Sequence, residues 1–400
     1  MDILQNFLKN NLITLIFLFL IFTFLVTILS TWMTNIAISI KKKARIPDSL
    51  IGGILIGAIT SIPESISSLI IIFQKSGSNS SNPTETSNVI SSPIGDMLGS
   101  NMFCFVVLAI CILVIIKKFY RLDLKHSTTI STAFLIIGLI FTFFACLLDN
   151  DSIILKKTSH GTSIFVYHGF NIWSIFILLG YIFGICFTYF HDKYASTKKI
   201  IAQINTSSRT NKIPPKPLKI SWFDKQNLKL LSILLVFTCV FLIGSSMLLE
   251  FSSEAIISWW FNNNNNNTTA ARGVIIGIAT SIPEIVVLIS MMRKKEYRML
   301  IDVIIGSCSF NICFLFILNI SAAIIWQLGD VSLVFYQNKE SIILLLLSLL
   351  QVIFFLIYMI FNSTSYKNQL SENTSLFISC ILLGFVITIW FCYVAITFFL

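Results

Sequence analysis

Thr60-Ser61-Ile62-Pro63-Glu64 and Thr280-Ser281-Ile282-Pro283-Glu284 are one pentapeptide written twice, each copy set inside a long apolar stretch. A carboxylate at the centre of a membrane helix costs about 3 kcal/mol or more, so an acid placed there twice has a task other than packing. The preceding proline removes a backbone donor and disturbs the helix beside each acid. On a helix, Thr60 and Ser61 lie four and three residues before Glu64 and share its face, and Thr280 and Ser281 stand the same way before Glu284.

Working outward, the pentapeptides sit in two of about ten apolar stretches of roughly 20 residues, each long enough to cross a bilayer of about 30 Å. These centre on residues 12–38, 47–73, 91–116, 127–148, 170–190, 230–249, 272–292, 300–325, 341–361 and 376–400. With 56% hydrophobic and only 12% charged residues, the chain reads as an all-α polytopic membrane protein, not a soluble domain. The first stretch is expected to be a retained helix. Its charged block, Lys41, Lys42, Lys43 and Arg45, follows it, and no small-residue cleavage site closes it.

The net charge of +10 is explained by topology. With the N-terminus outside, 22 of the 28 Lys and Arg fall in inside loops, and the opposite orientation reverses that bias. The basic runs therefore face lipid headgroups and the cytosol, and nucleic acid is not an expected partner. The nine Cys and four His show no metal-ligand spacing, so no zinc, haem or other cofactor is expected. HExxH is absent and no Ser/His pair lies within a stretch, which leaves no hydrolase reading; the chain is not expected to be an enzyme. No obligate protein partner is implied, and the plasma membrane is the expected location.

Residues 193–229, with Pro214, Pro215 and Pro217, form the longest inside loop and divide the chain into a first half, 1–192, and a second, 230–400. Polar loops are expected over 74–90 and around Asn262–Asn267. The two pentapeptides fall on the second and seventh stretches, five apart, so the five-helix halves are expected to be inverted copies. Their repeat segments cover about 47–116 and 270–325. Inverted halves with proline-interrupted helices at matching places point to a secondary transporter with a site near the midplane.

The next stretch in each half repeats as well. Gly99-Ser100-Asn101-Met102-Phe103-Cys104 corresponds to Gly306-Ser307-Cys308-Ser309-Phe310-Asn311, with Gly-Ser-x-x-Phe in common. Asp96 and Asp302 do not align between the copies, and their roles stay open. If the faces meet, two carboxylates, several hydroxyls and freed carbonyls form an all-oxygen site of charge 2−, suited to a hard cation such as Ca²⁺. Two such acids cannot both stay ionised and empty in a low dielectric, so a divalent cation, monovalent cations or protons must compensate. That requirement ties the flux of one ion to another. A passive cation channel would also use acidic residues and is not excluded by sequence.

These residues resemble the cation/calcium antiporters that include the sodium/calcium exchangers, in a prokaryotic-type form without a large cytosolic insert. In that family, Gly-Thr-Ser-x-Pro-Glu on one helix is followed by Gly-Ser-Asn-x-Phe-Asn on the next, in two inverted copies. The resemblance implies that Glu64 and Glu284 bind Ca²⁺, with oxygens from Thr60 and Thr280. It implies that Ser61, Ser100, Ser281 and Ser307 complete Na⁺ positions and that Asn311 closes the second element. It further implies exchange of Ca²⁺ for Na⁺, with proton coupling as the alternative. Cys104 stands where the resemblance implies Asn or Asp, Cys308 replaces the Asn of Gly-Ser-Asn, and thiols are poor partners for these ions.

Overall fold

The structure, a computed structural model, describes residues 12–44, 46–76, 83–120, 126–148, 166–167, 170–171, 173–206, 222–261, 276–328, 339–362 and 371–399. Helix α1 spans Leu12–Ala44. A π-helix, Leu50–Gly57, leads without a break into α2, Ala58–Ser76. There follow α3, Pro83–Val114; the short α4, Ile116–Tyr120; and α5, His126–Leu148. A two-residue hairpin pairs β1, Val166–Tyr167, with β2, Phe170–Asn171, antiparallel. Then come α6, Trp173–Thr206; α7, Trp222–Lys225; and α8, Leu228–Phe261. The chain continues with α9, Ile282–Arg293; α10, Tyr297–Leu328; α11, Lys339–Phe361; and α12, Glu372–Phe399.

Among the described residues, nine helices are long and apolar enough to cross a membrane. The seventh stretch, expected at 272–292, is not one continuous helix over its described residues. Residues 276–280 are helical, Ser281 forms a turn, and α9 resumes at Ile282 with Pro283 in its first turn. Proline there needs no backbone donor, because the first turn of a helix leaves its N–H groups unpaired anyway. The polar loop expected over 74–90 is shorter than read, since α2 runs to Ser76 and α3 begins at Pro83. The Asn262–Asn267 run lies outside the described residues. Helix α6 continues to Thr206, beyond the end of its apolar stretch.

The layers follow from which faces are apolar all round. α1 packs along α8, and both turn large side chains outward, among them Phe17, Phe24, Ile233 and Phe237. In a bilayer such exposure is ordinary, since lipid tails are the solvent there. α3 and α10 are the most enclosed spans. The π-helix crosses α10 with backbone against backbone: a Cβ on Gly306 would overlap the Gly53 main chain, so glycine at both positions sets the spacing.

Candidate cation-binding site

The identical pentapeptides reach the protein centre by different backbone routes. In the first copy the irregularity lies upstream, in the π-helix over Leu50–Gly57. Such winding widens the turn and changes which carbonyls are paired, and it recurs at functional sites. Thr60 takes up two of those carbonyls, donating its hydroxyl toward Ile56 O (3.1 Å) and Gly57 O (3.0 Å). Pro63 itself sits inside continuous α2. In the second copy the helix breaks at Ser281, whose hydroxyl donates to Gly277 O at 2.6 Å, and Thr280 donates to the same carbonyl at 3.3 Å.

Each of these segments is pressed onto the Gly-Ser element of the other repeat segment. A Cβ on Gly57 would stand 2.6 Å from the Ser307 nitrogen, and one on Gly277 would stand 3.0 Å from the Ser100 nitrogen. Glycine therefore lets the end of the π-helix approach α10, and the helical turn before α9 approach α3, at main-chain distance. The hydroxyls pair across the same two contacts. Ser61 Oγ lies 2.6 Å from Ser307 Oγ, and Ser281 Oγ lies 2.9 Å from Ser100 Oγ.

The two carboxylates lie between these contacts. Glu64 is 5% exposed and Glu284 1%. Ser100 donates to Glu64 Oε1 at 2.7 Å, and the Asn311 amide donates to Glu64 Oε2 at 3.0 Å. Thr280 stands against the Glu64 carboxylate, while Thr60 and Ser307 flank that of Glu284, and the two acids are close enough to repel one another. Glu284 Oε2 and Asn311 Oδ1 are both buried without a hydrogen-bond partner among the described residues. An ionised acid and an amide oxygen left bare in a low-dielectric interior are costly unless a positive charge completes them.

All nine expected residues, Thr60, Ser61, Glu64, Ser100, Thr280, Ser281, Glu284, Ser307 and Asn311, are buried and share this one cluster. The structure adds Asn101, which accepts the Asn311 amide on Oδ1 at 2.9 Å and donates to Cys308 O at 3.4 Å. Asn311 thus bridges Glu64 and Asn101. The signal for Asn101 was its place in Gly-Ser-Asn, obscured because the matching position of the other copy is Cys308. Cys104 lies 3.6 Å from Ser281 Oγ, at the edge of the cluster. Asp302 instead lines a separate cavity of about 70 Å³ with Ser49, Tyr181 and Ser309.

Residues 14–190 and 229–399 match the family described as sodium/calcium exchanger protein. No curated protein matches the chain. Among solved structures, the sodium-calcium exchanger NCX_Mj soaked with 2.5 mM Na⁺ and 10 mM Sr²⁺ is similar with a TM-score of 0.57 and 14% identity, over 96% of this chain and 99% of that one. The same exchanger soaked with 10 mM Na⁺ and zero Ca²⁺ gives 0.57 and 15% over the same shares. Soaked with zero Na⁺ and Ca²⁺, it gives 0.54 and 14%, again over 96% and 99%. At these identities the likeness is one of fold, and it extends over nearly the whole of both chains. The chain is a multi-pass integral membrane protein, and because the matched blocks take in both glutamate segments and both Gly-Ser elements, it belongs to the sodium/calcium exchanger family.

Proposed function

We propose that this protein exchanges Ca²⁺ for Na⁺ across the plasma membrane by alternating access at the Glu64–Glu284 cluster. The observation that carries the reading is the pair of buried oxygens without a partner among the described residues, Glu284 Oε2 and Asn311 Oδ1, beside a second carboxylate in a cluster of mostly oxygen-bearing side chains. A hard divalent cation supplies the charge that two facing carboxylates require and accepts many oxygen ligands without strict geometry. Na⁺ is the expected counter-ion because the serine pairs Ser61–Ser307 and Ser100–Ser281 offer hydroxyl oxygens that a proton does not need. Soaks of NCX_Mj with Na⁺, Ca²⁺ and Sr²⁺ fit this choice of ions.

In this reading the chain has ten spans, with the interrupted 276–293 segment as the seventh. Two inverted five-helix halves, 1–192 and 230–400, are joined by the 193–229 linker, and the N-terminus is outside. Matching contacts of Gly57 with Ser307 and of Gly277 with Ser100 support the pairing of the halves. No cofactor is needed; the ions are cargo. When loaded, the pocket is close to neutral and the helices can rearrange around it. When empty, the two carboxylates hold it back, which couples the two fluxes.

A proton-coupled exchanger is the second reading, favoured by Glu284 Oε2, since a proton also satisfies an unpartnered carboxylate oxygen. The test of the site itself is radiolabelled Ca²⁺ uptake by proteoliposomes carrying Glu64→Gln or Glu284→Gln. Each substitution removes a charge while keeping the shape, and each is expected to abolish uptake. Substantial residual exchange in either variant would show that the site lies elsewhere.

A further inference from the structure

Gln351 stands near the middle of α11, in a stretch with no other amide and no charge between Ile342 and Phe361. It is buried, and its Nε2 donates to Met102 O of α3 at 3.1 Å and to Val386 O of α12 at 2.9 Å. Both amide protons are thereby spent. The amide cannot turn over, because its oxygen would then face two carbonyl oxygens. Oε1 is left buried with no hydrogen-bond partner among the described residues, a costly state in a dry interior. Gln351 also lines a cavity of about 10 Å³, together with Ser348 one turn back on the same helix face and with Asn101 and Cys308 behind the cation cluster. Every residue lining it is buried. A space on the order of 10 Å³ is room for one water and no more. Asn101 accepts the Asn311 amide and gives one proton to Cys308 O, so its second N–H has no acceptor among the described residues. No carboxylate lines the cavity, so a cation there would lack a counter-charge.

We infer that this cavity holds one ordered water, which accepts from Asn101 and donates to Gln351 Oε1 and Ser348, and that Gln351 is thereby a positioning residue for the cation cluster. Three polar partners are what a buried water ordinarily has. The direct bonds of Gln351 tie α11 to the main chains of α3 and α12, and the water carries its hold on to the side chains. From the water the connection runs to Asn101 of α3, from Asn101 Oδ1 to the Asn311 amide of α10, and from that amide to Glu64 Oε2 of α2. A bridging water holds such groups almost as well as a direct bond. α11 lies outside both repeat segments, so it sets the angle of a carboxylate that it does not touch. The water stands on the geometry of the cavity, whereas the positioning role rests on the cluster reading above.

Two measurements on the full chain test the water and the role separately. A crystal structure of the native protein, at a resolution that shows waters, is expected to place one within hydrogen-bond distance of both Gln351 Oε1 and Asn101. No peak there, with other buried waters ordered, overturns the assignment. Val352→Ile adds a methylene to the cavity wall and is expected to expel the water while leaving Gln351 bonded to α3 and α12. Gln351→Met keeps the length of the side chain and removes its polar atoms. In proteoliposomes each variant is expected to raise half-saturating Ca²⁺ about threefold, with maximal flux within about twofold of native. The double variant should show no more than the larger single effect, because both changes remove the same water. If Gln351→Met fails to fold, Val352→Ile still carries the comparison. Native half-saturating Ca²⁺ in Val352→Ile with the water gone, or additive effects in the double variant, would make Gln351 a packing residue only. Native Ca²⁺ transport by Glu64→Gln would instead refute the cluster, and the water peak would be unaffected.

Discussion

Asn311 donates its amide to Glu64 Oε2 at 3.0 Å while its own Oδ1 stays buried with no partner among the described residues. One side chain of α10 thereby orients a carboxylate of α2 and presents a bare oxygen to the same space. A hydrogen bond to a charged group is worth roughly 1.5–3 kcal/mol, which sets the scale for removing it. Asn311→Ala is therefore expected to weaken half-saturating Ca²⁺ by about tenfold or more, read from the concentration dependence of uptake. An unchanged Ca²⁺ dependence would mean that Asn311 only packs.

Cys104 occupies the position in the first repeat segment that corresponds to Asn311 in the second, and its sulfur lies 3.6 Å from Ser281 Oγ. Cys104→Asn supplies an amide oxygen in its place, a harder ligand than a thiol. The expected outcome is tighter Ca²⁺ dependence or altered Na⁺ dependence of exchange, with expression near native. Identical ion dependences would show that this position is idle.

Gly57 and Gly277 hold equivalent places but unequal clearance, since a Cβ would meet main-chain nitrogen at 2.6 Å in the first case and 3.0 Å in the second. Backbone cannot swing away as a flexible side chain can. Gly57→Ala is expected to cost about 1–3 kcal/mol and to lower the melting temperature more than Gly277→Ala. Equal melting temperatures for the two variants would contradict this ordering.

Lys41, at the end of α1, bridges Asp48 ahead of the π-helix and Glu296 in the turn between α9 and α10, each at 2.6 Å. Ser39 of α1 also donates to Asp224 of α7 at 2.8 Å. These contacts pin one end of α1 to the elements that carry both glutamates. The ion pairs are partly exposed, so the expected effect of Lys41→Ala is modest, about 1 kcal/mol or less. It should appear as faster amide hydrogen exchange over 36–44, with little change in half-saturating Ca²⁺.

The fold was largely legible because bilayer thickness leaves so strong a mark on composition: each apolar stretch named above contains helix, most of it continuous. The glutamates were legible for a related reason. An acid in an apolar stretch is conspicuous, and two in identical words are more so. Less was visible where helices meet. Helical spacing put Ser61 and Glu64 near one face, yet nothing in it paired Ser61 with Ser307 or Ser281 with Ser100. Nor did the twin prolines reveal that one copy distorts upstream, as a π-helix, while the other breaks at Ser281. The segments before them differ, Leu50-Ile51-Gly52 standing where the second copy has Ala270-Ala271-Arg272, and neighbouring helices select the backbone. Asn101 was hidden because repetition is what makes a polar residue conspicuous here, and its matching position in the other copy is Cys308.

Ca²⁺ flux in sealed proteoliposomes under an imposed Na⁺ gradient bears most directly on coupled exchange at the two glutamates. With Ca²⁺ and Na⁺ trapped inside and Na⁺ replaced by choline outside, the native protein is expected to drive uptake of radiolabelled Ca²⁺, and Glu64→Gln and Glu284→Gln are expected to show none. Uptake indifferent to the Na⁺ gradient but driven by a pH gradient would contradict Na⁺ coupling, and uptake not accelerated by Ca²⁺ on the far side would indicate a pore.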